Sequence, residues 1–489
     1  MRTKIDSSWI VAHDNGEHRL IRDGVIVFED KKIVFVGKKF EGNVDRTISA
    51  KGKLVCPGFI DTHVHSGHRA AHRLISDTGR PLFFGQPFLE VSVPKNKKTS
   101  SVSKVIDPED ERKKSALFTV AELIRNGVTT FIEYGSGISV QNAILEQAIA
   151  LGSRAYLGPG YDCGRFVGDE KGRLKRVQND SMGIKSFEKS LNWIREKEGM
   201  ANGRIRGILV PREVETCSLD VLRKTLEAAD EFGFPMATHA AYSVIEFHEI
   251  VKEHMKTPIE LLSDLGMLRP TLNIGHGNFI SDNPNLNYAK ANDLKLMGDS
   301  GVTVSHCPTN IIRRGRNLNS WEKYRSSGVN LTIGTDTYPR DMIMNMRTAS
   351  YMGKLMSNSY FAAQASEVFN AATIGGAVSV GRNDIGKLEV GALADIIIID
   401  LKGNNSLRYG PVRDPIKSLV ECGVGDDVET VFVDGRIIME DRKIPDINFA
   451  EISRDIQEIG KHFWSDFKEN DPLGRTDVEA CPWCYEMDE

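Results

Sequence analysis

Apolar and polar positions alternate along the first fifty residues, with turn residues between the runs: Val25-Ile26-Val27-Phe28, then Glu29-Asp30-Lys31-Lys32, then Ile33-Val34-Phe35-Val36-Gly37. Period-two alternation broken by a polar turn predicts a hairpin. The pattern returns near the other end, where Ala394 to Asp400 reads as a buried strand and Thr430 to Ile438 as a hairpin around Asp434-Gly435. Between these ends, short apolar runs alternate with longer stretches of helical periodicity. The runs are Gly127 to Tyr134, Ala155 to Gly158, Ile205 to Pro211, Pro235 to His239, Leu272 to His276, Val302 to His306 and Val329 to Asp336, and Leu219 to Phe232 is a typical helical connector. Regular β/α alternation of this kind predicts a parallel sheet, and closure into a barrel is its simplest completion. The C-terminal strand ends are then where chemistry belongs.

Composition narrows the functional classes. The 489 residues carry 63 Lys+Arg against 67 Asp+Glu, a net charge of -4, which argues against a nucleic-acid binder. No run of about 18 apolar residues could span a bilayer, so no membrane partner is expected. Seven scattered cysteines, an odd number in a large chain, do not make a disulfide scaffold, and a reducing cytoplasm is the expected compartment. Arg69 to Lys114 breaks the β/α rhythm with a long connection containing Phe83, Phe84 and Phe88. From Glu451 to Glu489 there are 11 Asp/Glu against 4 Lys/Arg, and Ile452, Ile456, Ile459, Phe463 and Phe467 fall at helical spacing. An acidic, partly helical tail follows.

The strongest chemical signal is Pro57-Gly58-Phe59-Ile60-Asp61-Thr62-His63-Val64-His65. On a strand, His-x-His points both imidazoles to one face, where they can share a divalent cation. His239, His276 and His306 also end apolar runs, and Asp336 ends Val329-Asn330-Leu331-Thr332-Ile333-Gly334-Thr335. A single strand-end histidine is more often a hydrogen-bonded core residue, but this joint placement favours a site for Zn²⁺ or Fe²⁺.

With these motifs the chain resembles the amidohydrolase superfamily, in its cytosine deaminase and triazine hydrolase branch. The resemblance runs from Lys53 to His65 through His276-Gly277, His306-Cys307-Pro308-Thr309-Asn310, Gly334-Thr335-Asp336 and Asp341 to Arg347, to Gly386 to Asp395. It implies an α/β fold, a (β/α)₈ TIM-like barrel over 57–385. A small β-sandwich built from 1–56 plus 386–446 and a tail over 447–489 complete the expected organisation. It also implies one divalent metal, Zn²⁺ before Fe²⁺, held by His63, His65, His239 and Asp336. Asp336 would act as base, His276 would touch the water or substrate, and His306 would line the mouth. Arg212, at a strand end, is a candidate to bind a substrate oxygen, and Phe84 and Phe88, with Phe83, are candidates for an aromatic wall. A small-molecule substrate and a homo-oligomer are the expected partners.

One position departs from the branch, which generally places a glutamate three residues after the third metal histidine. Here that position is Tyr242, with Glu246, Glu213 and Glu215 as nearby substitutes. A phenol is a poor proton shuttle at neutral pH. The expectation is therefore hydrolysis of a C–N bond in a small cyclic or aromatic compound, leaning to amide, urea or carbamate cleavage. Tyr242 and Glu246 are its candidate proton-handling groups. Deamination or dechlorination of a purine, pyrimidine, pterin or triazine ring is the alternative. Arg313 to Arg316 and Cys481-Pro482-Trp483-Cys484 read more simply as surface.

Overall fold

A computed structural model describes residues 1–67, 108–168, 174–288, 292–402, 408–471 and 474–487. Phe84 and Phe88 lie outside these residues, as do Phe83, His68 and His72. The two chain ends share one seven-stranded sheet, in the order Arg436–Met439, Val428–Val433, Ile396–Asp400, Arg46–Pro57, Arg2–Asp14, Glu17–Glu29, Lys32–Gly37. The long first strand escapes the pattern reading because Asp6-Ser7-Ser8 interrupts its apolar positions. Asp434 and Gly435 turn the last hairpin with φ of 51° and 71°, the left-handed pair that a two-residue turn needs. Ile5, Ile26, Phe28, Val55, Ile396, Ile398 and Phe432 bury one face of this sheet.

The middle of the chain forms two four-stranded parallel sheets. One contains Phe59–Val64, Val128–Glu133, Arg154–Leu157 and Ile205–Gly207, and the other Met236–Ala240, Leu272–His276, Thr303–His306 and Asn330–Ile333. Isolated parallel bridges join their edges at both seams, Leu209 with Met236 and Glu213 with His239 at one and Val64 with Asp336 at the other. The run from Ile205 ends as regular strand at Gly207, and Pro211, which has no N–H for a ladder, makes only an isolated bridge to Tyr161. Most of these strands are buried along their whole length, which is why they read as continuous apolar runs. Helices connect them. Leu219–Phe232, for example, starts on the Ser218 cap and stops at Gly233, whose φ of 70° lets the chain leave the helix.

Arg154 ties the terminal sheet to the parallel strands. Its buried guanidinium donates to both oxygens of Asp395, at 3.0 and 3.1 Å, and to Asp434 at 2.6 Å. The amphipathic tail forms helix Phe449–Ser465, burying Ile452, Ile456 and Ile459. Arg125 of helix Pro108–Arg125 lies 4.4 Å over the Phe449 ring, and Lys114 of the same helix pairs with Asp455 at 3.3 Å. All seven cysteines are thiols. No helix among the described residues is long and apolar enough to cross a membrane.

Candidate active site

The ends of three parallel strands, Phe59–Val64, Met236–Ala240 and Leu272–His276, and of the strand Asn330–Ile333 bring His63, His65, His239, His276 and Asp336 to one place. His63 Nε2 lies 3.2 Å from His65 Nε2, which is 3.1 Å from His239 Nε2. Asp336 Oδ1 is 3.6 Å from His65 and 3.9 Å from His63, and its Oδ2 is 3.6 Å from His276 Nε2. Four donors held about 2.0–2.1 Å from one cation in a tetrahedron stand about 3.3–3.4 Å apart, so this spacing fits a shared divalent ion. His63, His65 and Asp336 form one potential ligand group, and His63, His239 and His276 an overlapping one. The ring Nδ1 of His239 meets the Arg212 carbonyl oxygen at 2.8 Å, which places its hydrogen there and leaves Nε2 bare. Burial holds His65 neutral, with its pKa at about 3, and lowers His276 well below its ordinary range.

Backbone geometry at the strand ends is unusual. Asp336 and His276 have φ of 63° and 74°, a strained region for side chains of this kind and one common at functional sites. Reciprocal bonds fix the seam: His65 N donates to Asp336 O, and Asp336 N to His63 O, each at 2.7 Å. The buried Asp61 carboxylate accepts from the amides of His63 and Thr335 and from the Thr335 hydroxyl, aligning the strand ends that carry His63 and Asp336. Glycines make room for the His63 ring: a Cβ on Gly275 would stand 2.7 Å from its Cε1, and one on Gly334 2.5 Å from its Cβ. Tyr134 stacks on that ring at 3.7 Å and donates to the Asn273 carbonyl at 2.7 Å.

The remaining residues divide by placement. Asn310, from the His306-Cys307-Pro308-Thr309-Asn310 segment, donates its amide hydrogen to Asp336 Oδ2. His306 is buried near Trp321, and burial holds it neutral at about 3. Arg212 donates to the Gly135 carbonyl at 2.8 Å and to Asp162 at 3.0 Å, so its guanidinium is engaged by the protein. Glu246 accepts from the amides of Ala241 and Tyr242, at 2.7 and 2.8 Å, and closes a capping box with Ser243 on helix Val244–His254. Burial pushes its carboxyl up to about 8 against those amide bonds. Tyr242, packed edge-on to His239 with ring centroids 5.8 Å apart, donates its hydroxyl to Glu215. Asp61 and Asn310 carry no spacing signal of their own, although they sit inside the Pro57–His65 and His306–Asn310 segments.

A cluster of imidazoles and one carboxylate at the ends of parallel strands could hold a divalent metal ion. The chain belongs to the amidohydrolase family, whose pattern matches residues 54–438. It is a hydrolase of carbon–nitrogen bonds other than peptide bonds. It is 30% identical over 434 residues to a 5-methylthioadenosine/S-adenosylhomocysteine deaminase of Natronomonas pharaonis, covering 88% of this chain and 91% of the relative. A 5'-deoxyadenosine deaminase of Methanosarcina barkeri is 27% identical over 462 residues, covering 94% and 97%. Among solved structures, a triazine hydrolase from Arthobacter aurescens shares the fold with a TM-score of 0.76, at 22% identity, covering 94% of this chain and 99% of that one. A zinc-bound adenosine deaminase from Xanthomonas campestris has a TM-score of 0.75 at 20% identity, covering 93% and 97%.

Proposed function

We propose that the protein is an aminohydrolase that removes the exocyclic amine of a nitrogen heteroaromatic ring, with an aminopurine nucleoside as the leading substrate class. The observation that carries this reading is the convergence of His63, His65, His239, His276 and Asp336 in a chain aligned over most of its length with adenosine-type deaminases. Amide or urea hydrolysis, which the missing carboxylate at position 242 would favour, finds no support among these deaminase relatives and is the competing outcome of the assay. In this reading the two parallel sheets are halves of one eight-stranded barrel.

His63, His65, His239 and Asp336 hold one divalent cation, with zinc the leading ion. When bound, such an ion is a Lewis acid that lowers the pKa of water to about 7. Asp336, steadied by Asn310, accepts a proton from the attacking water and returns it to the departing amine. His276 orients the water against the ring carbon, and His306 lines the substrate side. Glu246 and Arg212 serve as positioning groups: Glu246 sets the turn that carries Tyr242, and the Arg212 carbonyl sets the His239 ring. The C–O bond forms, the C–N bond breaks, and the two protons of water go to the ring nitrogen and to ammonia.

The test is a panel of aminopurine nucleosides, aminopyrimidines, aryl ureas and anilides, with ammonia and larger amines both quantified. Ammonia from a ring amine supports the reading. A larger amine from a urea or anilide, with no ammonia from any ring, overturns it.

A further inference from the structure

We propose that Glu215 and Tyr242 form a proton-delivering pair for the ring nitrogen of the substrate, with Tyr242 presenting the hydrogen and Glu215 replenishing it from behind. The assignment rests on the aminohydrolase reading and adds to it the group that the sequence at position 242 lacks.

Three observations support the pair. Glu213 bridges in parallel to His239, so the short turn Val214–Thr216 sits beside the metal-ligating strand end. Glu215 is 2% exposed, and its Oε1 accepts the Tyr242 hydroxyl while Oε2 is buried without a hydrogen-bond partner among the described residues. Arg176 reaches this turn but donates to the Glu215 backbone carbonyl at 2.6 Å, not to the carboxyl. Buried polar atoms are nearly always paired, and an unpaired one at an active site calls for a reason.

Proton storage supplies that reason. Burial, with Glu246 and Glu213 nearby, raises the Glu215 carboxyl well above its ordinary range and so favours its protonated form. Tyr242 is half-buried while Glu215 is enclosed, so the carboxyl acts through the phenol and is a positioning residue and proton reserve. Burial, with Glu215 beside it, holds the Tyr242 phenol well above its ordinary range, so alone it is a weak acid, but one that takes a proton from a carboxyl as it gives its own never has to become phenolate. With the carboxyl protonated on Oε1 this contact reverses, the carboxyl donating to the phenol oxygen and freeing the Tyr242 hydrogen for the substrate. As the water oxygen bonds to carbon, that hydrogen moves to the ring nitrogen and the Glu215 proton to Tyr242. As the C–N bond breaks, the new hydroxyl becomes a carbonyl and its proton returns through Tyr242 to Glu215. Asp336 delivers the other proton to the leaving amine, and no electrons are exchanged.

The experiment uses the metal-loaded full chain with the best aminopurine nucleoside, comparing Glu215→Gln, Tyr242→Phe and the double variant. Gln keeps the shape of the neutral acid and Phe keeps the ring packing. General acid catalysis contributes about 10²–10⁴-fold. Each single variant is expected to lower kcat by at least about 10²-fold with KM and bound metal unchanged, and the double variant to match the singles, because the pair works as a unit. A merely structural role would shift KM or metal content instead. Single variants within about threefold of wild type, or losses that multiply in the double variant, overturn the assignment alone. A wild type that releases no ammonia from any ring amine overturns the proposed function and this assignment with it.

Discussion

Gly275→Ala tests whether the metal centre is set by the space around His63. The new methyl would stand 2.7 Å from His63 Cε1 and 3.1 Å from both His63 Nδ1 and Tyr134 Cε1. Carbon atoms in good contact sit about 3.5–4.0 Å apart, so the overlap with Cε1 is about 1 Å. Tyr134 gives little relief, because its ring is stacked on His63 and its hydroxyl is anchored to Asn273. The imidazole must therefore move by several tenths of an ångström, more than the tolerance of about 0.2 Å on a metal–ligand bond. Overpacking of this kind costs about 1–3 kcal/mol, and disturbing a ligand's surroundings costs about 10–100-fold in metal affinity. Competition against a chromogenic chelator measures that affinity, and thermal melting measures the stability. Gly137→Ala is the control, since a Cβ there meets nothing within 4 Å and the backbone φ is -64°. An affinity for Gly275→Ala within about twofold of wild type would refute the reasoning.

Other outcomes follow from the same structure. Arg154→Met leaves the Asp395 and Asp434 carboxylates buried without their cation, so it should cost about 3–5 kcal/mol, read as a lowered denaturation midpoint. Asn310→Ala releases Asp336 Oδ2 and should lower kcat about 10–100-fold while the protein still binds metal. Burial, reinforced by His13, lowers His18 from 6.5 to about 4. A group depressed in the folded state gives stability that is complete above its unfolded pKa and is lost as pH falls from about 6.5 to 4, here up to about 3 kcal/mol. Thermal midpoints of His18→Asn should therefore fall less steeply than wild type over that window, and parallel curves would contradict the assignment.

The candidate ligand residues were legible because their chemistry and their position coincide. His63 and His65 are two apart on a strand, and His239, His276 and Asp336 each close an apolar run. Glycines preceding two of them, Gly275 and Gly334, look like ordinary turn residues in sequence, and only the fold shows that they clear space for His63. The three candidate glutamates could not be ranked from spacing. Glu246 lies nearest in sequence to Tyr242 but is engaged by backbone amides, whereas Glu215, 27 residues away, reaches the phenol because neighbouring strand ends lie side by side. Arg212 invited a substrate role as a cation at a strand end. Its pairing with Asp162 depends on a contact 50 residues distant that no local pattern encodes.

The central claim is most directly tested by measuring bound metal and ammonia release on one sample of purified protein supplied with an aminopurine nucleoside. The account expects about one divalent ion per chain, stoichiometric ammonia from the ring amine, and loss of both metal and turnover in His63→Ala. Ammonia release that survives complete removal of metal, or a wild type that binds none, would contradict it.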